Sequence, residues 1–166
     1  MTNILAAIGA TIAALAELSL VPYVRIGEAF PHPVLVFGVI WTIAAGLEAG
    51  LVWAVIGGVL LDSLVARPLG TSVFALVISV GATVVIARTF VRIRPLAPLV
   101  AVPIVSIGYS LVLLTLLAAI RPSITVTDPL GTLMPGAAYD AVLGVLFGPL
   151  ALSIRDRYRP EERADW

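Results

Sequence analysis

Four carboxylates interrupt or border the apolar runs of this 166-residue chain, and they are the side chains best placed to do chemistry. Glu17, Asp62 and Asp140 fall within or at the end of apolar runs, and Glu48 lies between two of them. A carboxylate inside a lipid bilayer is costly, so it indicates a functional site, a buried pair or an ion pathway. An ion or proton pathway would need Glu17, Asp62 and Asp140 to line one continuous wet route.

The segment from Gly57 to Gly70, GGVLLDSLVARPLG, carries the most informative pattern. Asp62 stands near the end of an apolar run, and Arg67 follows it as a possible countercharge. Pro68 disfavours a helical conformation for the residue before it, and Gly70 permits a tight return of the chain. The segment is predicted to form a helix, a short turn and a second helix. Besides a functional role, Asp62 could pair with Arg67 or cap the turn through backbone donors.

Small residues form two stripes near the other acids, at a spacing that lets helix backbones approach closely. The first stripe, with a carboxylate within it, comprises Gly136, Asp140, Gly144 and Gly148. The second comprises Ala6, Ala10 and Ala14, with Glu17 on its flank. Each stripe could pack inside the protein or dock a partner helix. Asp140 must point at a partner helix or a wet crevice, in either a structural or a functional role.

Catalytic and metal chemistry find no support in the sequence. His32, between Pro31 and Pro33, is the only histidine, and we interpret it as a loop residue because no acid stands at ligand spacing. The chain has no cysteine, which excludes disulfides and thiol catalysis. No phosphate-binding loop, dinucleotide fingerprint or histidine-paired serine motif is present. The prediction is a protein that is not an enzyme and needs no cofactor or metal.

The elements that must position these residues are transmembrane helices. The chain is 60% hydrophobic and 12% charged, with a mean hydropathy of +1.10, which excludes a water-facing surface. Its formal net charge of zero suggests no nucleic-acid partner. The apolar runs cover about 3–24, 34–47, 49–65, 71–87, 96–120 and 133–154, against about 20 residues needed per span. We expect an all-α membrane domain over residues 1–154 and a short tail over 155–166.

The number of spans and their orientation follow from run length and arginine placement. The second run is short and almost continuous with the third, so six spans are expected, or five if this pair is partly re-entrant. Six alternating helices place seven arginines on one side and three on the other. The richer side holds Arg88, Arg92, Arg94, Arg155, Arg157, Arg159 and Arg163, and the poorer side holds Arg25, Arg67 and Arg121. The positive-inside rule then places both termini in the cytoplasm.

These residues together resemble the rod shape-determining protein MreD family. GGVLLDSLVARPLG is similar to the family's motif, in which a small-residue helix ends in Leu-Asp and Leu-Gly opens the next helix. The run Pro31 to Leu35 followed by Trp41 resembles the family's second helix. Glu17 and Asp140 fall where the family has polar residues, the latter commonly Asn, and an arginine-rich tail follows. The resemblance covers nearly the whole chain.

The resemblance implies a scaffold subunit of the bacterial elongation machinery in the inner membrane. Its partners would be the bitopic protein MreC and, through it, MreB, RodA and the penicillin-binding transpeptidase of RodA, in lateral peptidoglycan synthesis. The candidate positions for partner binding or structure are Asp62, Arg67, Pro68, Gly70, Glu17, Gly136, Asp140, Gly144, Gly148, Ala6, Ala10 and Ala14.

The family's fold is also similar to that of the S components of energy-coupling factor vitamin transporters, which gives an alternative function. An S component would enclose a vitamin on the extracytoplasmic side and dock a coupling subunit through small residues of its first helix. The predicted outer loops are short and poor in hydrogen-bonding side chains, which disfavours a polar vitamin.

Overall fold

The computed structural model describes residues 2–24, 30–89, 97–120 and 129–158, with the backbone alone at 129–132 and 154–158. These residues form six α-helices and, within the described ranges, no strand. The helices are α1 (Thr2–Val24), α2 (Pro33–Ala45), α3 (Leu47–Leu64), α4 (Thr71–Thr89), α5 (Ala97–Ile120) and α6 (Pro129–Tyr158). Of the arginines used to predict orientation, only Arg67 and Arg88 have side chains that the structure describes.

The prediction of an all-α membrane protein is confirmed. Five helices, α1 and α3 to α6, are long and apolar enough to cross a bilayer. The sixth, α2, is apolar but has only 13 residues, which is about 20 Å of helix against a hydrocarbon core of about 30 Å. α6 continues to Tyr158 and so runs past the predicted start of the tail at residue 155.

α2 occupies the centre of the bundle. It contacts all five other helices, which surround it in the order α1, α3, α4, α5, α6. In the described residues, no Cα atom of α1 lies within 8 Å of α6. The central position explains why α2 is apolar on nearly every face; its buried apolar residues are Val34, Leu35, Val36, Val39 and Ile40.

A single residue, Gly46, links α2 to α3. It ends the first helix and begins the second with φ at +91°, a left-handed conformation that glycine adopts without strain. Close to this link, a Cβ atom at Gly50 would collide with the hydroxyl of Thr42. The two helices therefore form a tight hairpin, one of the two arrangements that the sequence left open for this pair.

The alanine stripe of α1 lies inside the bundle. Ala6, Ala10 and Ala14 have no exposed surface. Ala10 faces α3 at Gly57, where an added Cβ would lie 3.8 Å from the Ala10 Cβ and 2.7 Å from Val34 Cγ1. Of the two roles left open by the sequence, internal packing is the one that the structure shows, so this stripe presents no free docking face.

The glycine stripe of α6 is also internal: Gly144 and Gly148 pack against α5, and Gly136 faces the segment before α2. A Cβ atom at Gly144 would lie 2.9 Å from Val102, and one at Gly148 would lie 2.6 Å from Pro98. Asp140, in the same stripe, is fully buried. Both stripes are therefore used for packing within the protein. Asp140 points at neighbouring groups of the protein and not into a wet crevice.

Candidate functional site

Three intramembrane carboxylates lie toward one end of the bundle, where α1, α3 and α5 end and α2, α4 and α6 begin. We call this the Asp62 end and the opposite end the Glu48 end. The first N–H groups of a helix have no partner within it and cannot remain unpaired in a bilayer. Glu17 and Asp62 each accept such a donor, and Asp140 accepts the N–H of the residue preceding α2.

Asp62 caps the start of α4. Its Oδ2 accepts the backbone N–H of Gly70 at 2.8 Å, and its Oδ1 accepts that of Ser72 at 3.0 Å. The hydroxyl of Thr71 lies 3.0 Å from Oδ1 and 2.9 Å from the carbonyl oxygen of Pro68, so its one proton can be donated to either. Asp62 is almost fully buried. A carboxylate at this position also complements the positive end of the α4 dipole.

The main chain of Asp62 closes the end of α3. Its carbonyl oxygen accepts the N–H of Arg67, five residues later, at 3.0 Å. This is the 6→1 hydrogen bond of a Schellman motif. Ala66 adopts φ of +53° here, a left-handed conformation at which most proteins place glycine. One residue thus ends a helix with its backbone and starts the next with its side chain.

Arg67 does not form an ion pair with Asp62 within 4 Å. Its Nη1 instead donates to the Ser72 hydroxyl at a long 3.4 Å. Of the two structural alternatives predicted for Asp62, the structure therefore shows the cap. Arg67 is half-buried and lies within electrostatic range of Glu17 and His32. Pro68 and Gly70 occupy the turn, and Gly70 has φ of +97°.

Glu17 caps the start of α2 from the neighbouring helix. Its Oε2 accepts the backbone N–H of Val34 at 3.0 Å. Pro33, the first residue of α2, has no N–H, so Val34 provides the first donor that needs a partner. α2 is too short to reach the membrane surface at both ends, so its start lies inside the bundle and requires a partner from the protein.

Asp140 collects three donors in the middle of the bundle. Its Oδ1 accepts the backbone N–H of His32 at 2.7 Å, and its Oδ2 lies 2.9 Å from His32 Nδ1. The Ser106 hydroxyl of α5 donates to the same Oδ2 at 2.5 Å. Asp140 lies eleven residues after Pro129, which is about 17 Å along α6. The chain segment before α2 therefore descends deep into the bundle.

His32 lies in the loop before α2, but the interpretation of it as no more than a loop residue is wrong, because it bonds to Asp140. Its ring is only 13% exposed and lies against Phe30 and Tyr109, with ring centroids 4.9 Å and 5.7 Å away. Burial alone would lower the pKa of His32. The hydrogen bond to Asp140 and the negative charges of Asp140 and Glu17 outweigh burial, so the pKa of His32 is raised above its usual value.

These groups form one polar cluster. Tyr109, buried on α5, packs against the His32 ring and lies within electrostatic range of Glu17, Arg67 and Asp62. Tyr109 is therefore near both the α4 cap and the histidine pair. The polar cluster comprises Glu17, His32, Asp62, Arg67, Ser72, Ser106, Tyr109 and Asp140.

The geometry of the polar cluster suits structural hydrogen bonding. Ser106 donates to Asp140 and not to His32, so no histidine activates its hydroxyl. Among the described residues, no three His, Asp or Glu side chains are placed to hold a metal ion. The carboxylates accept donors from the protein's own backbone, which leaves little capacity for a substrate.

Sequence reasoning found the three acids and missed their partners His32, Ser72, Ser106 and Tyr109. One signal was available for His32. An acid inside a bilayer requires a donor or countercharge, and the chain has a single histidine, followed directly by a proline and a short apolar run. No comparable signal marks Ser106, because serine is common in transmembrane helices and bonds to its own backbone.

Fold and site together define a multi-pass helical membrane protein whose buried polar groups hold its own helices in place. The chain belongs to the rod shape-determining protein MreD family, which it matches over residues 2–153. It is therefore a rod shape-determining membrane protein. No curated protein and no solved structure matches it, and the likeness to S components stays a prediction.

Proposed function

We propose that this protein is a non-catalytic scaffold of the bacterial elongation complex that binds MreC in the inner membrane. Through MreC it would support RodA, its penicillin-binding transpeptidase and MreB in lateral peptidoglycan synthesis. The family match over residues 2–153 carries the proposal. The polar cluster supports it, because carboxylates occupied by backbone donors suit a rigid support better than a reaction centre.

The proposed orientation places the Asp62 end outside and both termini in the cytoplasm. The seven-to-three arginine distribution supports this orientation. The short turn between α3 and α4 would then face the periplasm, and the α2–α3 link would face the cytoplasm. Contact with a partner that spans the same membrane once would take place mainly between helices.

The docking face must be sought on exposed helix surfaces, since both small-residue stripes are internal. α1 packs against α2 and α3, and the Tyr139 hydroxyl of α6 donates to the Val24 carbonyl at its end at 3.1 Å. One face of α1 is exposed and apolar, including Ile4, Ile8 and Ile12. α6 has a second exposed face that includes Val142, Val145 and Leu146. Lipid tails satisfy apolar side chains as well as a protein does, so close packing must decide the affinity of either face.

Photo-crosslinking in cells tests the proposal without disturbing the fold. A photoreactive amino acid would replace Ile8 on α1, Val145 on α6 or Ile78 on α4, all exposed. We expect one of these faces to yield a covalent product with MreC, and the other positions serve as matched controls. No product from any exposed face, together with no MreC in mild-detergent purification, would contradict the scaffold function.

The same purification distinguishes the S-component alternative. That function requires a vitamin bound at the Asp62 end, whereas the polar side chains there bond to one another. Among the described residues, an open depression of about 220 Å³ lies at the Glu48 end, lined by Thr2, Asn3, Ala45, Glu48 and Ala49. A vitamin recovered at near-stoichiometric amounts without MreC would favour the transporter component.

A further inference from the structure

The polar cluster contains more acidic than basic side chains. Glu17, Asp62 and Asp140 supply three carboxylates, whereas Arg67 supplies one permanent positive charge. His32 is the remaining basic side chain of the cluster, and its ring lies directly against Asp140. In a low-dielectric interior, every uncompensated charge is expensive. A protonated His32 places a second positive charge in the cluster, directly beside Asp140.

We propose that Glu17, His32 and Asp140 form a proton-binding site that is filled from the Asp62 side of the membrane and strengthens the attachment of α2 to α1 and α6. Hydrogen bonds between three segments of the chain define this site. Asp140 holds both the backbone and the ring of His32, and Glu17 holds the N–H of Val34 two residues later. The start of α2 is therefore bonded to both α1 and α6, and the titratable His32 ring forms part of the bond to α6.

The proton that leaves is the one on Nε2. In the imidazolium form, Nδ1–H donates to Asp140 and Nε2 carries the second proton. Loss of the Nε2 proton to water leaves a neutral ring that still donates from Nδ1, but without its positive charge. A charge-assisted hydrogen bond becomes a weaker one, so the attachment loosens without breaking. The ring is not completely enclosed, since 13% of its side-chain surface is exposed.

Charged and titratable groups from every packed element act on this ring. Asp140 on α6 and Glu17 on α1 favour the proton, and Arg67 in the α3–α4 turn opposes it. Tyr109 on α5 packs against the ring edge as a neutral phenol. These opposite signs give the proposal a specific test, because Glu17→Gln and Arg67→Gln must shift proton binding in opposite directions.

The test uses the fact that His32 is the only histidine. Full-length protein with isotope-labelled histidine, purified through a histidine-free tag and placed in lipid nanodiscs, gives one imidazole signal to follow by NMR against pH. We expect a titration midpoint above the usual histidine value of about 6.5. Glu17→Gln should lower the midpoint and Arg67→Gln should raise it.

The matched control is Glu48→Gln. Glu48 lies at the start of α3, about 21 Å along the helix from Asp62, so this variant should leave the midpoint unchanged. Asp140→Asn should lower the midpoint by at least about one pH unit. If Asp140→Asn does not fold, the opposite shifts expected for Glu17→Gln and Arg67→Gln still test the proposal. A midpoint at or below 6.5, or one that neither variant moves, would overturn the proposal.

The stability of the protein provides the second measurement. His32 has a raised pKa in the fold, so its contribution is complete below the unfolded pKa and is lost as the pH rises through the folded pKa. The unfolding temperature should therefore fall across that interval in the wild type. In His32→Gln this fall should be absent. An equal fall in both proteins would show that the ring does not control the attachment.

Discussion

His32 and Asp140 are joined twice, through the backbone N–H at 2.7 Å and through Nδ1 at 2.9 Å, although 108 residues separate them in the chain. This double contact ties the segment before α2 to the middle of α6. The donors from His32 explain how the Asp140 carboxylate is stabilised at a depth where the bilayer makes a carboxylate costly. Glu17 and Asp62 also have protein donors, since Glu17 caps the start of α2 and Asp62 caps the start of α4.

Asp62→Ala should destabilise the fold by about 2–3 kcal/mol, because the start of α4 would lose its cap and leave donors unpaired. Arg67→Ala should cost less, since Arg67 makes one long hydrogen bond and no ion pair with Asp62. Thermal unfolding in detergent compares the two variants. Rod shape in cells should fail more severely with the first. Equal losses would indicate that Asp62 depends on Arg67 after all.

Ala66→Gly should stabilise the protein by about 1 kcal/mol, because Ala66 is held at a positive φ that favours glycine. Val65→Gly is the matched control. Val65 has φ of −94°, so glycine there brings no relief and only adds freedom to the unfolded chain. Thermal unfolding of both variants should give shifts of opposite sign. A loss of stability in Ala66→Gly would contradict the strain at this turn.

Gly58→Ala should be strongly destabilising, whereas Gly81→Ala should be tolerated or stabilising. A Cβ atom at Gly58 would lie 2.6 Å from the Val73 Cα, so α3 and α4 would have to separate. At Gly81 an added Cβ meets nothing within 4 Å, and alanine favours the helix by about 1 kcal/mol. The yield of folded protein and the unfolding temperature measure both effects. Tolerance at Gly58 would contradict the close approach.

Two stacked tryptophans should respond differently to phenylalanine. Trp53 Nε1 donates to the Val34 carbonyl at 2.9 Å, so Trp53→Phe removes a buried hydrogen bond and should cost about 1–3 kcal/mol. Trp41 Nε1 is the buried side-chain polar atom that has no partner within the described part of the chain. Trp41→Phe should therefore cost less than Trp53→Phe. Chemical denaturation in mild detergent would compare the free energies of unfolding of the two variants.

Cysteine labelling tests the orientation. The chain has no cysteine, so single substitutions at Arg67, Arg121, Arg92 and Arg157 can be labelled in intact cells with an impermeant maleimide. Positions 67 and 121 should react, and positions 92 and 157 should react only after the cells are opened. Labelling of position 157 in intact cells would place the C-terminal side outside and reverse the orientation.

The helices were predictable because hydropathy is a local property of the chain. The runs over about 3–24 and 71–87 correspond closely to Thr2–Val24 and Thr71–Thr89. The turn after Asp62 was predictable for a similar reason, since Pro68 and Gly70 restrict the chain locally. The capping alternative for Asp62 also needed only nearby residues.

The interior of the site depends on packing that the sequence does not encode locally. A stripe of small residues indicates a close helix contact but not whether the contact lies within the protein, so Ala10 and Gly144 left both possibilities open. The contact between His32 and Asp140 depends on α2 being central and short. That position results from all six helices packing together, so it cannot be predicted from residue spacing within one helix.

The central, short α2 also affects the order in which the protein can be made. The segment before α2 needs Asp140 as an acceptor, and Asp140 is synthesised 108 residues after His32. At about 5–20 residues per second, that interval lasts roughly 5 to 20 seconds. During this time the exposed backbone near His32 must stay in water or be sheltered by the insertion machinery. Entry of α6 into the membrane is therefore the step that completes the fold.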